Sequence, residues 1–193
     1  MNIGLTGGIK SGKSTVGDFW SKMGAEVVSA DKLGHDLLMP ETKTAEEVIK
    51  LFGENILDSD RKINRTKVRK IVFTEEESLK KFNNIIHPVL TDRIRNILNK
   101  NKSSLAIDAA LIFEWGLEKE FDVIVTVEAP ETIRRNRVKE LGWSDAEISG
   151  CMESQYPESH RLKYADFIID NNSTLEVLEK KSIEIWNKLY FSQ

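Results

Sequence analysis

A single cysteine, Cys151, stands among the 193 residues, so no disulfide can form within the chain and no multi-cysteine metal site is possible. Long apolar runs are missing as well: no stretch approaches the ~18 consecutive apolar residues that a membrane-spanning helix needs. An excess of charge of either sign is absent too. With 28 Lys and Arg against 31 Asp and Glu, the formal net charge is −3. That balance argues against wholesale wrapping of nucleic acid, which depends on a basic surface to displace counterions. It is compatible with a locally basic cleft, because net charge describes the whole surface. There are no repeats, no low-complexity tract and no Gly/Ser linker. The opening residues, Met1 to Gly8, pass directly into a short apolar run and a glycine turn, without the basic start and apolar stretch of a secretory leader. These absences lead to the expectation of a cytoplasmic protein with no membrane, nucleic-acid or obligate protein partner.

The composition itself, 40% apolar and 31% charged, suits one globular core. Short apolar runs alternate with longer helical patterns, which predicts a parallel α/β sheet covered by helices on both faces. The expected strands are Asn2–Thr6, Glu26–Ser29, Leu105–Asp108, Val123–Glu128 and Phe167–Ile169. Three pairs, Thr74 with Glu77, Ser144 with Glu147 and Ser173 with Glu176, have the spacing of capping boxes. Pro130 suits the first turn of a helix, where its missing N–H costs nothing. A last helix from Thr174 to Tyr190 should place Leu175, Leu178, Ile185 and Leu189 on one face. Two segments exceed a minimal alternating core. About seventy residues, 32–102, separate the second and third strands, far more than one crossover needs. The arginine-rich stretch 131–162 could fold over a bound nucleotide as a lid. One domain is expected, with its core in 1–31, 103–130 and 163–193.

The strongest local signal is Gly7-Gly8-Ile9-Lys10-Ser11-Gly12-Lys13-Ser14, which matches G-x-x-x-x-G-K-[ST]. Polyphosphate is held there by successive backbone N–H groups converging on one concavity, and side chains at the glycine positions would block that approach. A helix starting near Lys13 adds its free amides and positive dipole end. ATP is therefore expected against Gly8, Ile9, Lys10, Ser11, Gly12, Lys13, Ser14 and Thr15. Lys13 would bridge the β- and γ-phosphates, Ser14 would ligate Mg²⁺, and Thr15 would add an α-phosphate contact. The chain lacks the N-K-x-D with which GTPases read guanine, and it lacks the length and signature loop of a transport ATPase. A small kinase or a nucleotide-dependent regulatory module remains.

Further residues narrow the field. The run Gly4-Leu5-Thr6-Gly7-Gly8-Ile9 through Ser14-Thr15-Val16 resembles the amino terminus of the dephospho-CoA kinase family. Ser29-Ala30-Asp31 with His35 is similar to that family's D-A-D-x-x-x-H. In order along the chain follow Leu51-Phe52-Gly53, Ile71-Val72-Phe73, His87-Pro88, Asp108 with Leu111 and Glu114, Gln155 with Pro157, and Ala165-Asp166 through Ile169-Asp170-Asn171. The resemblance implies transfer of the γ-phosphoryl group of ATP to the ribose 3′-hydroxyl of dephospho-CoA, using Mg²⁺. It implies the P-loop kinase fold, a five-stranded parallel sheet in order 2-3-1-4-5. The helical insertion would bind the acceptor and the arginine-bearing segment would close as a lid. Another P-loop small-molecule kinase, or a regulatory ATP-binding module, is the alternative.

Each candidate residue has a bland reading beside the functional one. Asp31 is the candidate general base, or merely a helix N-cap. Asp108, at a strand end, would hold Mg²⁺ directly or through water and border the acceptor, or would only satisfy a loop N–H. Glu114 and His35 are assigned to the acceptor pocket, against the alternatives of a solvated helix residue and a packed histidine. His87, before Pro88, should mark a helix boundary. Among Arg134, Arg135 and Arg137, Arg135 best fits the family's lid pattern and is the expected phosphoryl contact; Arg161 is a weaker candidate. Three departures stand out. Lys10 occupies a position where the family has glycine, and would be strained if φ there is positive. Ser29 replaces the first aspartate of D-A-D, and Ala110 replaces a common proline.

Overall fold

The computed structural model describes residues 1–101 and 103–191; Lys102, Ser192 and Gln193, which close the expected insertion and core segments, lie outside the described residues. Five parallel strands form one sheet: β1 (Asn2–Thr6), β2 (Glu26–Ser29), β3 (Leu105–Asp108), β4 (Val123–Glu128) and β5 (Phe167–Asp170). Their order is β2-β3-β1-β4-β5, the order that the resemblance implies. The strand expectations match, with β5 one residue longer.

Strand alternation divides the core in two. Ile3, Leu5, Ala106, Val125, Val127 and Ile169 point to one face and meet α1 (Lys13–Lys22) and α9 (Leu175–Phe191) through Val16, Phe19, Trp20, Leu178, Ile185, Trp186 and Leu189. Leu105, Ile107 and Ile124 point to the other face. There they meet the insertion, which folds as α2 (Ala30–Leu37), α3 (Lys43–Phe52), α4 (Arg65–Val72) and α5 (Glu76–Lys100). Fully burying one such aliphatic side chain contributes about 1.5–3 kcal/mol, so the two layers clamp the sheet whose carboxyl ends carry the site. The third segment adds α6 (Glu131–Lys139), α7 (Asp145–Glu153) and α8 (Glu158–Tyr164).

Local expectations fare unevenly. Ser144 and Glu147 make a complete capping box at α7. Thr74 does not cap α5: its hydroxyl turns back to the carbonyls of Lys70 and Ile71, and the residue at the cap position, Glu75, makes no side-chain cap. The hydroxyl at the start of α9 is that of Thr174, accepting from Val177 N–H at 3.4 Å, rather than Ser173. Pro130 sits one residue outside α6, at its N-cap. Leu175 is 62% exposed, because the buried stripe of α9 starts at Leu178. His87-Pro88 does not end a helix; α5 runs 25 residues straight through it. Ile86, Leu90, Ile94 and Leu98 lie four apart on one buried stripe, and their burial outweighs the ~3 kcal/mol that an interior proline costs. His87 packs edge-on against Trp115, and burial pushes its imidazole pKa down.

Candidate active site

The loop of residues 7–12 leaves the carboxyl end of β1, the central strand, and turns into α1. Gly7 has φ +143° and Gly12 φ +108°, values that L side chains rarely adopt. Ser11 N–H bonds Gly8 O at 3.1 Å, and Asn171 Nδ2 donates to Ser11 O at 2.7 Å, so the loop is tied from behind by the segment after β5. Among the described residues, no protein acceptor takes the N–H of Lys10, Gly12, Lys13 or Ser14. Those unpaired amides at the start of α1 are the donors that an oxyanion tail needs. Lys10 has φ +56°. The lysine therefore stands where glycine would be unstrained.

Four of the expected side chains, Lys13, Ser14, Asp31 and Asp108, gather near the strand ends. Ser14 Oγ donates to Asp108 Oδ2 at 2.7 Å, joining the first turn of α1 to the end of β3. Burial raises the Asp108 carboxyl above its ordinary range; Lys13 and the Ser14 hydroxyl oppose the rise, and the carboxylates of Asp31 and Asp18 add to it. Ser29, paired in register with Asp108, ends β2 and caps α2, its hydroxyl accepting from Lys32 N–H at 3.3 Å. Asp31 is thus not the cap. It lies exposed in the first turn of α2 with His35 one turn further on, also exposed. Glu114 reaches the other way: its carboxylate accepts from Tyr156 N–H, and burial raises its pKa.

The arginines differ from expectation. Arg135 bonds Glu131 at 2.7 Å and Ser149 at 3.2 Å, both within the 131–162 segment. Arg134 and Arg137 reach the loop instead. Arg134 donates to Ala129 O at 3.0 Å, and its guanidinium covers Gly8 so closely that a Cβ there would lie 2.5 Å from Nη1. Arg137 Nη1 donates to Lys10 O at 3.0 Å. The reason is helical: 134 and 137 are three apart on one face of α6, while 135 shares a neighbouring face with 131. Arg161 is fully buried, holding Glu128 through two bonds of 2.6 and 2.8 Å. Sequence reasoning missed Glu128, which completes that pair, and the placement of Gln155, whose Oε1 accepts from Ile9 N–H at 2.9 Å. Only the ordered Gln155-x-Pro157 match singled Gln155 out.

An all-oxygen pair such as Ser14 and Asp108 suits a hard cation held jointly with substrate phosphates. Among the described residues no group of three or more His, Cys, Asp or Glu forms a protein-only metal cage. No described helix is long and apolar enough to cross a membrane.

Comparison with known proteins agrees with this geometry. The dephospho-CoA kinase family profile matches residues 1–176. Dephospho-CoA kinases of Fusobacterium nucleatum and Aquifex aeolicus are 39% and 37% identical to the chain, covering 94% and 97% of it and 94% and 96% of their own lengths. The solved dephospho-CoA kinase of Campylobacter jejuni superposes with a TM-score of 0.70 at 25% identity, covering 99% of this chain and 98% of that one. A phosphate loop on the middle strand, a serine–aspartate pair at its mouth and full-length likeness in both sequence and fold lead to one assignment: the chain belongs to the dephospho-CoA kinase family.

Proposed function

We propose that the protein transfers the γ-phosphoryl group of ATP to the ribose 3′-hydroxyl of dephospho-CoA, giving CoA and ADP in the cytoplasm. The observation that carries this reading is the Ser14–Asp108 contact at 2.7 Å beside the unpaired loop amides, with Asp31 free at the next strand end. The 2–3-strand side of the sheet faces the insertion, 32–102, which is assigned to the acceptor; residues 131–162 are assigned as the lid. The loop amides and Lys13 hold the triphosphate and neutralise charge gathering on the transferring group. Asp31 accepts the 3′-hydroxyl proton while that oxygen attacks phosphorus and ADP leaves. Ser14 and Asp108 would hold Mg²⁺, which when bound would supply positive charge to the phosphates. His35, on the exposed face of α2 with Asp31, would contact the acceptor; Glu114 would line its far side through the loop after β3. Arg134 and Arg137, seated on the loop, are the arginines assigned to the phosphates; Arg135 would join them only by leaving Glu131.

The test is incubation with ATP, Mg²⁺ and dephospho-CoA, in parallel with nucleosides and nucleoside monophosphates, followed by mass. A product heavier by one phosphate with dephospho-CoA alone is the expected result. Transfer to a different acceptor, or tight ATP binding with no transfer, would overturn it.

A further inference from the structure

We infer that Gln155 is a γ-phosphate contact, bridging Ile9 N–H and the oxygens of the transferring phosphoryl group. Three observations carry the inference. First, the carboxamide is placed by a bond from Ile9 N–H to Oε1 at 2.9 Å, across 146 residues of sequence. Because a backbone amide can only donate, the oxygen must face Ile9, which leaves the –NH₂ beside the loop and outside that bond. Among the described residues those two N–H donors have no protein partner. Second, the backbone carrying Gln155 is pinned. Tyr156 N–H is held by Glu114, and Tyr156 O accepts from Arg161, itself locked to buried Glu128. Gln155 is half-buried in the four-residue turn 154–157 between α7 and α8, so these bonds fix where its side chain starts. Third, the position selects one phosphate. Ile9 lies on the limb of the loop that leaves β1, opposite Thr15, which lies in the first turn of α1 and is the residue expected at the α-phosphate. Glu114, on the other side of Gln155, follows β3 on the acceptor side. A donor between those two limbs meets the end of the triphosphate that is transferred.

A neutral carboxamide suits this place. Its oxygen satisfies the amide without repelling phosphate, and its nitrogen adds a donor whose bond to a charged oxygen is stronger than a neutral one.

The inference rests on the phosphate reading of the loop but not on the identity of the acceptor, so its test uses nucleotides alone. Binding of ADP and of the non-hydrolysable β,γ-imido analogue of ATP is measured by calorimetry with Mg²⁺ for the full chain, Gln155→Glu and Gln155→Met. Gln155→Glu keeps the acceptor for Ile9 and loses the donors; Gln155→Met keeps length and loses both. Melting temperatures check folding. We expect ADP affinity within about twofold of the parent for both variants. Loss of a hydrogen bond to a charged oxygen should weaken the analogue by about tenfold or more, and Glu should weaken it more than Met. Equal weakening of both nucleotides would make Gln155 a loop support only. Tightening of both would make it a plug that phosphate must displace, and no change would remove it from the site; each overturns the inference. Failure of the parent protein to bind either nucleotide would overturn the phosphate-loop reading itself.

Discussion

Lys10 holds φ +56° in the middle of the phosphate loop, and that one torsion has a measurable consequence. A non-glycine residue in the left-handed region costs about 1–2 kcal/mol, partly offset by the extra chain entropy that glycine loses on folding. Lys10→Gly should therefore stabilise the protein by up to about 1 kcal/mol, a rise in Tm of about 2–4 °C, read by scanning calorimetry; a lower Tm would mean that the lysine side chain repays the strain. Asp31 offers the complementary test at the same scale. Its carboxylate is exposed, is not the cap of α2, and stands two residues beyond a strand end paired with Asp108. Asp31→Asn should leave ATP affinity intact and lower kcat by about 10²–10⁴-fold, with a nucleotide titration and a turnover assay on the same sample; unchanged turnover would remove Asp31 from the mechanism.

At the scale of elements, the insertion and the lid are not separate flaps. Arg69 of α4 bonds Glu147 of α7 at 2.9 Å and lies over the Trp143 ring, which stacks on Phe73. Gly150 completes the junction: a Cβ there would run into the carbonyl of Phe73. Gly150→Ala should force α7 off α4 and cost about 1–3 kcal/mol as overpacking does, seen as a lower denaturant midpoint; an unchanged midpoint would mean that the helices are free to separate. Neither side of this junction was legible in the sequence beyond the Ser144–Glu147 box. A capping pattern reads contacts three residues apart, whereas Arg69 and Glu147 are 78 apart. The false box at Thr74 shows the converse, since a hydroxyl with the right spacing found nearer carbonyls.

For the whole molecule, the same Glu147 links pH to stability. Burial acts to raise its carboxyl, but the Ser144 N–H and hydroxyl and the Arg69 guanidinium together hold it down at about 2, from an ordinary 4.5. Its folded pKa lies below its unfolded one, so the stability it contributes is complete above about pH 4.5 and is lost as pH falls toward 2. Tm measured from pH 5 to 2.5 should fall steeply in the parent and less steeply in Glu147→Gln; parallel curves would discount the pair. Asp108 has the opposite sign, its carboxyl raised by burial. Activity that needs it ionised should therefore decline on the acid side at a pH above the usual aspartate range, a shift that Asp108→Glu, with its longer reach, would disturb.

Residue order alone decided the strands, the phosphate loop and the family likeness, because short apolar runs, a glycine–lysine motif and ordered short matches are all local patterns. It also set the helical character of the insertion. Which arginine meets the loop, where Gln155 and Glu114 point, and why α5 continues through Pro88 were decided only by tertiary packing. These depend on helix phase and on burial between segments far apart in the chain, and such contacts leave no local spacing to read.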